Sequence, residues 1–211
     1  MIGGELSLYE DARERDGKLH NESPLFYFMA TDDPATCEWL PVRTLYNKEL
    51  HLADFLRDAG IEHFLPFKYE LADAKTDGVE CSRRLVPAIH NLVFIHHVYD
   101  RQWCIDLMRR CPVEFHFLKR EREGLDYATI SHREMEIFMR ACDPRLTGTR
   151  FIDPEQLREK KFTRVRVVKP GPLQGMEGDF VRFGGRHYIA VRVSGSAALL
   201  KVSWTWCEGV E

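Results

Sequence analysis

The sequence predicts an α+β chain in which a domain mixing strands with helices is followed by a small all-β barrel. Three observations predict it. From residue 39 to 143, short strand-like apolar runs alternate with apolar stripes at helical spacing. From 161 onward only strand-like runs remain, broken by glycine-rich turns. The length of 211 residues, 44% hydrophobic and 30% charged, suits two small domains of ordinary globular composition.

Residues 39–45 open the first domain as a strand. A helix follows over 47–59, with Asn47 at its N-cap, Gly60 as its stop, and Leu45, Leu52 and Leu56 at helical spacing. Residues 61–71 read as a strand, 73–78 as a polar turn and 79–86 as a returning strand. The run 91–98 is strongly strand-like. Asp100 caps a short helix carrying Trp103, Cys104, Leu107, Met108 and Cys111, which Pro112 follows, and 113–118 is another strand. Ser131 with Glu134 makes a capping box for a helix with Met135, Phe138, Met139 and Cys142 on one face. Asp143-Pro144 ends it, because the residue before proline avoids helical backbone.

Residues 144–160 carry Pro144, Gly148, Pro154 and many charges, and read as a linker with a helical turn at 154–159. In the last part Val165 and Val167 alternate with Arg164 and Arg166, the pattern of a half-buried strand. A loop punctuated by Gly171-Pro172 and Gly175 follows. Then come 180–183, a Gly184-Gly185 hairpin turn, 187–193, a turn at Gly195 and a final strand at 199–204. Five short strands in this span suggest a small barrel. The expected division is therefore an extension at 1–36, a first domain at 37–143, the linker, and a second domain at 161–211.

The net charge of −3 conceals a gradient. Residues 1–38 hold 3 basic and 9 acidic residues, 39–160 hold 19 and 20, and 161–211 hold 8 and 4. As a whole the chain is neither a basic nucleic-acid wrapper nor an acidic tail protein. Its first part reads as an acidic, weakly ordered extension, with 25–30 a candidate added strand. That apolar run is far short of the roughly 20 residues of a membrane helix. No secretion signal is visible at the start, so a cytoplasmic location is expected. Six cysteines without a C-x-x-C pair read as small buried hydrophobes in a reducing compartment rather than disulfides or zinc ligands.

Two constellations stand out. The loop 169–178 reads Lys-Pro-Gly-Pro-Leu-Gln-Gly-Met-Glu-Gly, with Gly171, Pro172, Gly175 and Gly178 between two strands. No helix follows and no Gly-Lys-Ser/Thr ends it, so it is not a phosphate-binding P-loop. With its preceding valine strand and following Gly-Gly-Arg hairpin it resembles a KOW motif. The first domain supplies the rest: Trp39-Leu40-Pro41-Val42-Arg43-Thr44, the amphipathic helix up to Gly60, Ile61-Glu62-His63-Phe64, Asn91-Leu92-Val93-Phe94-Ile95, Pro112-Val113 and Ala128-Thr129-Ile130-Ser131. In order and spacing these resemble an NGN domain. NGN, linker and KOW in succession resemble the NusG family of transcription elongation factors over residues 37–211. The wording around Tyr46-Asn47-Lys48-Glu49 and residues 90–96 is most similar to its UpxY-like paralogues of capsular polysaccharide operons. His90 stands where the family usually has a proline, with Pro87 earlier.

The resemblance implies an antiparallel sheet flanked by helices, then an SH3-like barrel. It also implies a non-enzymatic antitermination factor that docks on the clamp of RNA polymerase and suppresses pausing. Carried over, Leu92 and Phe94 share one face of the central strand, joined by Phe115 or Phe117; the alternative is that all four fill the core. Lys48 and His51 are candidates for contact with non-template DNA, or else part of a solvated helix face. In the basic second domain Arg182 and Arg186 are candidate nucleic-acid contacts beside Lys169 and Arg192. Its partner would be nascent RNA, a ribosomal protein or the termination factor Rho. An RNA- or ribosome-binding module without polymerase docking is the alternative reading.

Catalytic chemistry is not expected. His96 and His97 are successive strand residues and face opposite ways, so with His90 they do not form a metal site. No nucleophile–base arrangement stands out, and Asp32-Asp33 lies in an acidic stretch. No cofactor, metal or membrane partner is expected.

Overall fold

A computed structural model describes residues 37–71, 83–121, 123–146, 148–158 and 162–210. The acidic extension, the expected turn at 73–78 and the first half of the expected strand at 79–86 lie outside the described residues.

The first unit is built on four antiparallel strands in the order β2-β5-β1-β6: β1 (Cys37–Thr44), β2 (His63–Phe64), β5 (Leu92–Val98) and β6 (Phe115–Phe117). β1 and β5 form its centre, with Trp39 opposite His96, Leu40 opposite Ile95 and Pro41 opposite Phe94. Residues directly opposite share a face. One face therefore collects Leu40, Val42, Val93 and Ile95, and the other Trp39, Leu92 and Phe94. Helix α1 (Glu49–Asp58) and helix α2 (Arg101–Arg110) close the first face with Leu52, Leu56, Cys104 and Leu107. Helix α3 (His132–Ala141) lies on the second with Met135, Phe138 and Met139. A separate hairpin pairs β3 (Phe67–Leu71) with β4 (Arg83–Pro87).

The cap chemistry of two helices agrees with expectation. The Asp100 carboxylate accepts from the Gln102 and Trp103 amides, and Ser131 and Glu134 form the reciprocal capping box. Helix α1 differs. Asn47 is not its cap but sits at φ +53, and its amide donates to Asn91 Oδ1 at 2.7 Å. Helical backbone starts only at Glu49, because Tyr46 and Asn47 both occupy the left-handed region. Gly60, at φ +68, stops it as expected. The single strand expected at 61–71 is two: the chain leaves β2 at Leu65-Pro66 and joins a different partner as β3.

The second unit is a six-stranded antiparallel sheet in the order β12-β8-β9-β10-β11-β7. Its strands are β7 (Arg150–Ile152), β8 (Thr163–Val167), β9 (Glu177–Phe183), β10 (Arg186–Val193), β11 (Ser196–Lys201) and β12 (Cys207–Gly209). Two expectations change here. Part of the expected linker is sheet: β7 pairs with β11, a 3-10 turn spans Pro154–Leu157, and Leu157 is fully buried. The ladder also has two ends, β12 and β7, which do not pair with each other among the described residues, so no closed barrel forms. β7 occupies the free edge of β11, where closure would have needed another partner.

Alternation again gives two buried faces. Val181, Tyr188, Ala190, Ala197 and Leu199 pack with Leu157. Val165, Val167, Ile189, Val191 and Leu200 face the other way, and their cluster runs without a break into Trp39, Leu92, Phe94 and α3. The two units thus share one core. Polar contacts flank it: Arg140 Nη2 donates to the Gln174 carbonyl at 3.2 Å, and Arg133 Nη2 lies 3.9 Å from Glu177 Oε2.

Candidate functional site

The alternation of β5 decides where the expected docking residues go. Leu92 and Phe94 share a face and are buried, at 1% and 0% exposure. Phe94 packs between Phe64 and Phe138, with ring centroids 6.2 and 5.5 Å away. Helix α3 and the second unit cover this face together, and Val193, Val191 and Ile189 belong to the same cluster.

Phe115 and Phe117 do not join them. Both are buried in the α1–α2 core with Val93 and Ile95, and the Phe117 ring lies tilted against Tyr127, centroids 5.1 Å apart. The physical reason is register. β6 pairs with β1 so that Phe117 stands opposite Val42 and Phe115 opposite Thr44, which puts both on Val42's side of the sheet. The expectation that Phe115 or Phe117 joins Leu92 and Phe94 is corrected: neither shares their face. Phe64, Ile130 and Phe138 complete the cluster, and sequence reasoning missed them. Phe138 carried a signal, since it lies on the apolar stripe of a capped helix. Phe64 and Ile130 come from short segments without periodicity.

The histidines separate as expected. His96 Nδ1 is 2.7 Å from Glu62 Oε2, and its ring stacks on Trp39. His97 lies on the other face, stacked on Trp103 at 3.7 Å. His90 is exposed, 3.5 Å from Glu49. Among the described residues no three acidic, histidine or cysteine side chains come together as a metal site. The Cys104 thiol is pushed up to about 12, first by burial and then by the Asp100 charge. That is the opposite of the lowered value a reactive thiolate needs.

The basic candidates are also sorted by the sheet. Lys48 and His51 are exposed at the start of α1. Arg182 stands opposite His187, so it lies on the face of Phe180, whereas Arg186 precedes His187 and points the other way. Neither enters an ion pair among the described residues. Arg192 is different: its guanidinium is 2.5 Å from the Asp179 carboxylate and 4.3 Å from the Phe162 ring centroid. Lys169 lies over the Trp206 ring at 4.0 Å.

In the KOW-like loop the glycines do different work. Gly171 and Gly175 take positive φ in a turn where the Gln174 amide donates to the Gly171 carbonyl and the Gly175 amide to the Val167 carbonyl. Gly178 has ordinary backbone, but a Cβ there would overlap Ile189 Cγ2 and stand 2.8 Å from the Ala190 carbonyl oxygen. Its missing side chain lets β10 pass close by.

No family model matches the chain, and no curated protein matches it. Among solved structures it is similar to one described as "Domain interaction in Thermotoga maritima NusG", at 15% identity and a TM-score of 0.40, covering 85% of this chain and 100% of that one. No helix among the described residues is long and apolar enough to cross a membrane.

Proposed function

We propose that the chain is a NusG-like transcription factor that docks on the clamp of RNA polymerase through the Leu92–Phe94 face of β5, suppresses pausing and termination, and serves polysaccharide operons. The NGN-like and KOW-like motifs support the family reading. One structural observation carries the docking part: the central strand's second face is covered by the other half of the chain as well as by α3. A face completed by a sequence-distant half of the chain is exchanged for a partner when that half moves, whereas the α1–α2 face is closed by the first unit's own helices.

On this reading docking requires the second unit to move off β5 and α3 to loosen its packing on Phe94. Polymerase and the second unit then compete for Leu92 and Phe94, and polymerase shifts the arrangement only by its differential affinity for the open one. The effect on pausing is a bias between clamp states, not chemistry.

The test is co-purification of the full-length chain with RNA polymerase. Gly195→Leu, which forces a side chain between the two units, raises capture relative to wild type. Adding Leu92→Lys to it abolishes capture. Equal recovery of polymerase with all three chains sinks the proposal.

A further inference from the structure

Among the described residues three buried side-chain polar atoms lack a hydrogen-bond partner: Glu49 Oε2, Glu62 Oε1 and His96 Nε2. Glu49 lies in the first turn of α1, where the helix dipole favours a carboxylate. The other two atoms belong to one contact. His96 Nδ1 is 2.7 Å from Glu62 Oε2, and the two side chains are 9% and 11% exposed. A carboxylate only accepts, so Nδ1 donates to it and Nε2 keeps a lone pair. The pair therefore holds two idle acceptors, Glu62 Oε1 and His96 Nε2, and no lysine or arginine among the described residues pairs with Glu62.

The sheet places this pair on the docking face. Leu92, Phe94 and His96 alternate along β5 and share one side. Glu62 immediately precedes β2, and its carbonyl accepts from the His96 amide at 2.9 Å. Two positions further on, Phe64 stands opposite Phe94. Trp39 lies opposite His96 and stacks on its ring, with centroids 4.6 Å apart. The ring of His132, the first residue of α3, is 6.0 Å from that of His96. The apolar face of β5 thus ends in a carboxylate–imidazole pair beside the start of α3. A metal site does not account for it, since no three acidic, histidine or cysteine side chains come together among the described residues.

We propose that this pair is the polar end of the docking surface, and that polymerase seats an arginine guanidinium on Glu62 as its apolar residues seat on Leu92 and Phe94. This rests on the docking reading and names the chemistry of that partner. A guanidinium offers several donors in one plane, is weakly hydrated and matches a carboxylate. A lysine supplies a more strongly hydrated point charge. A purely apolar partner would leave both acceptors without a hydrogen bond and out of water. Docked, the chain gains charge-assisted hydrogen bonds that it does not make when closed. That difference between the two arrangements is what polymerase needs in order to displace the second unit.

The experiment measures the affinity of the full-length chain for immobilised RNA polymerase across a salt series, in wild type and in the Gly195→Leu chain. Glu62→Gln keeps the size of the side chain and removes its charge. It weakens binding about tenfold or more at low salt and flattens the salt dependence. Glu62→Asp, which keeps the charge, keeps the salt dependence. The loss in Glu62→Gln persists in the Gly195→Leu chain, where closure by the second unit no longer masks the face. Three results overturn the arginine contact. Glu62→Gln binds as tightly as its parent with the same salt dependence; or Glu62→Asp falls as far as Glu62→Gln, which assigns the effect to shape; or the loss vanishes in the Gly195→Leu chain, which assigns the pair to the closed arrangement. Leu92→Lys tells the two readings apart. If it binds like wild type, docking through β5 itself fails. If it abolishes binding while Glu62→Gln changes nothing, docking stands and only the polar contact is lost.

Discussion

Gly195, in the β10–β11 turn, rests against Leu92, the first residue of the central strand β5. A Cβ built on Gly195 would stand 3.2 Å from Leu92 Cδ1 and 2.6 Å from Leu118 Cδ1, and its backbone has φ +91. Only glycine satisfies both the conformation and the space. The contact joins the two halves of the chain at the residue proposed to meet polymerase.

Gly195→Val should therefore cost stability twice, through left-handed backbone on a β-branched residue and through overpacking. Each effect is worth about 1–3 kcal/mol. The strain is relieved if the turn swings away from β5. Denaturant melts should show a loss of about 2 kcal/mol or more, and hydrogen exchange should speed up at the β5 amides beyond what the melts explain. Stability within about 0.5 kcal/mol of wild type would mean that the turn does not press on Leu92.

The two faces of the first sheet can be separated energetically. Phe94→Ala should cost about 3–5 kcal/mol, as should Phe117→Ala, since both rings are buried. Phe94 and Phe138 touch across one core, so their double-alanine cycle should show a coupling of about 0.5–3 kcal/mol. Phe94 and Phe117 lie on opposite faces, and their effects should add within about 0.5 kcal/mol. The reverse pattern in chemical denaturation would place Phe117 on the docking face after all.

Local chemistry was legible in the sequence where one residue decides it. Asp100, Ser131–Glu134, Gly60 and the Gly184-Gly185 turn all act through neighbours within four positions. The opposite orientation of His96 and His97 followed from the strand period alone. What could not be read is pairing between distant segments. Phe115 and Phe117 alternate correctly, but which face they join depends on their register with Val42, more than seventy positions away. Similarly, the charged residues of 150–158 look like a linker, and nothing local reveals that the edge of β11 recruits Arg150–Ile152.

His63 gives a pH dependence with a definite sign. Its pKa is lowered from the ordinary 6.5, mainly by burial and further by the Arg57 charge, against the raising effects of the hydrogen bond to the Ile61 carbonyl and the Asp54 charge. The folded chain thus resists a proton that the unfolded chain accepts. The stability this neutral ring contributes is fully present above pH 6.5 and declines as pH falls through that value toward the folded pKa. Urea melts at about pH 7.5 and about pH 5.5 should show a smaller drop for His63→Gln than for wild type. An equal drop in both chains would assign the acid sensitivity to other groups.

The thiols test whether any cysteine is poised for chemistry. Cys104 is fully buried and its pKa is raised to about 12, and burial pushes Cys142 well above its usual value too. At about pH 8 the thiolate fraction of Cys104 is then on the order of one in ten thousand, against roughly a quarter for a free thiol of pKa about 8.5. Cys111 and Cys207 are only half-buried, although burial raises them as well. Alkylation followed by mass spectrometry should find Cys111 and Cys207 modified in the native chain, and Cys104 and Cys142 modified only in denaturant. Labelling should then track global unfolding, so Phe94→Ala should accelerate it at both buried thiols by the factor its destabilisation predicts. Rapid native labelling of Cys104 would instead point to a lowered pKa and an accessible sulfur, the two properties a nucleophile requires, and would reopen an enzymatic reading of this chain.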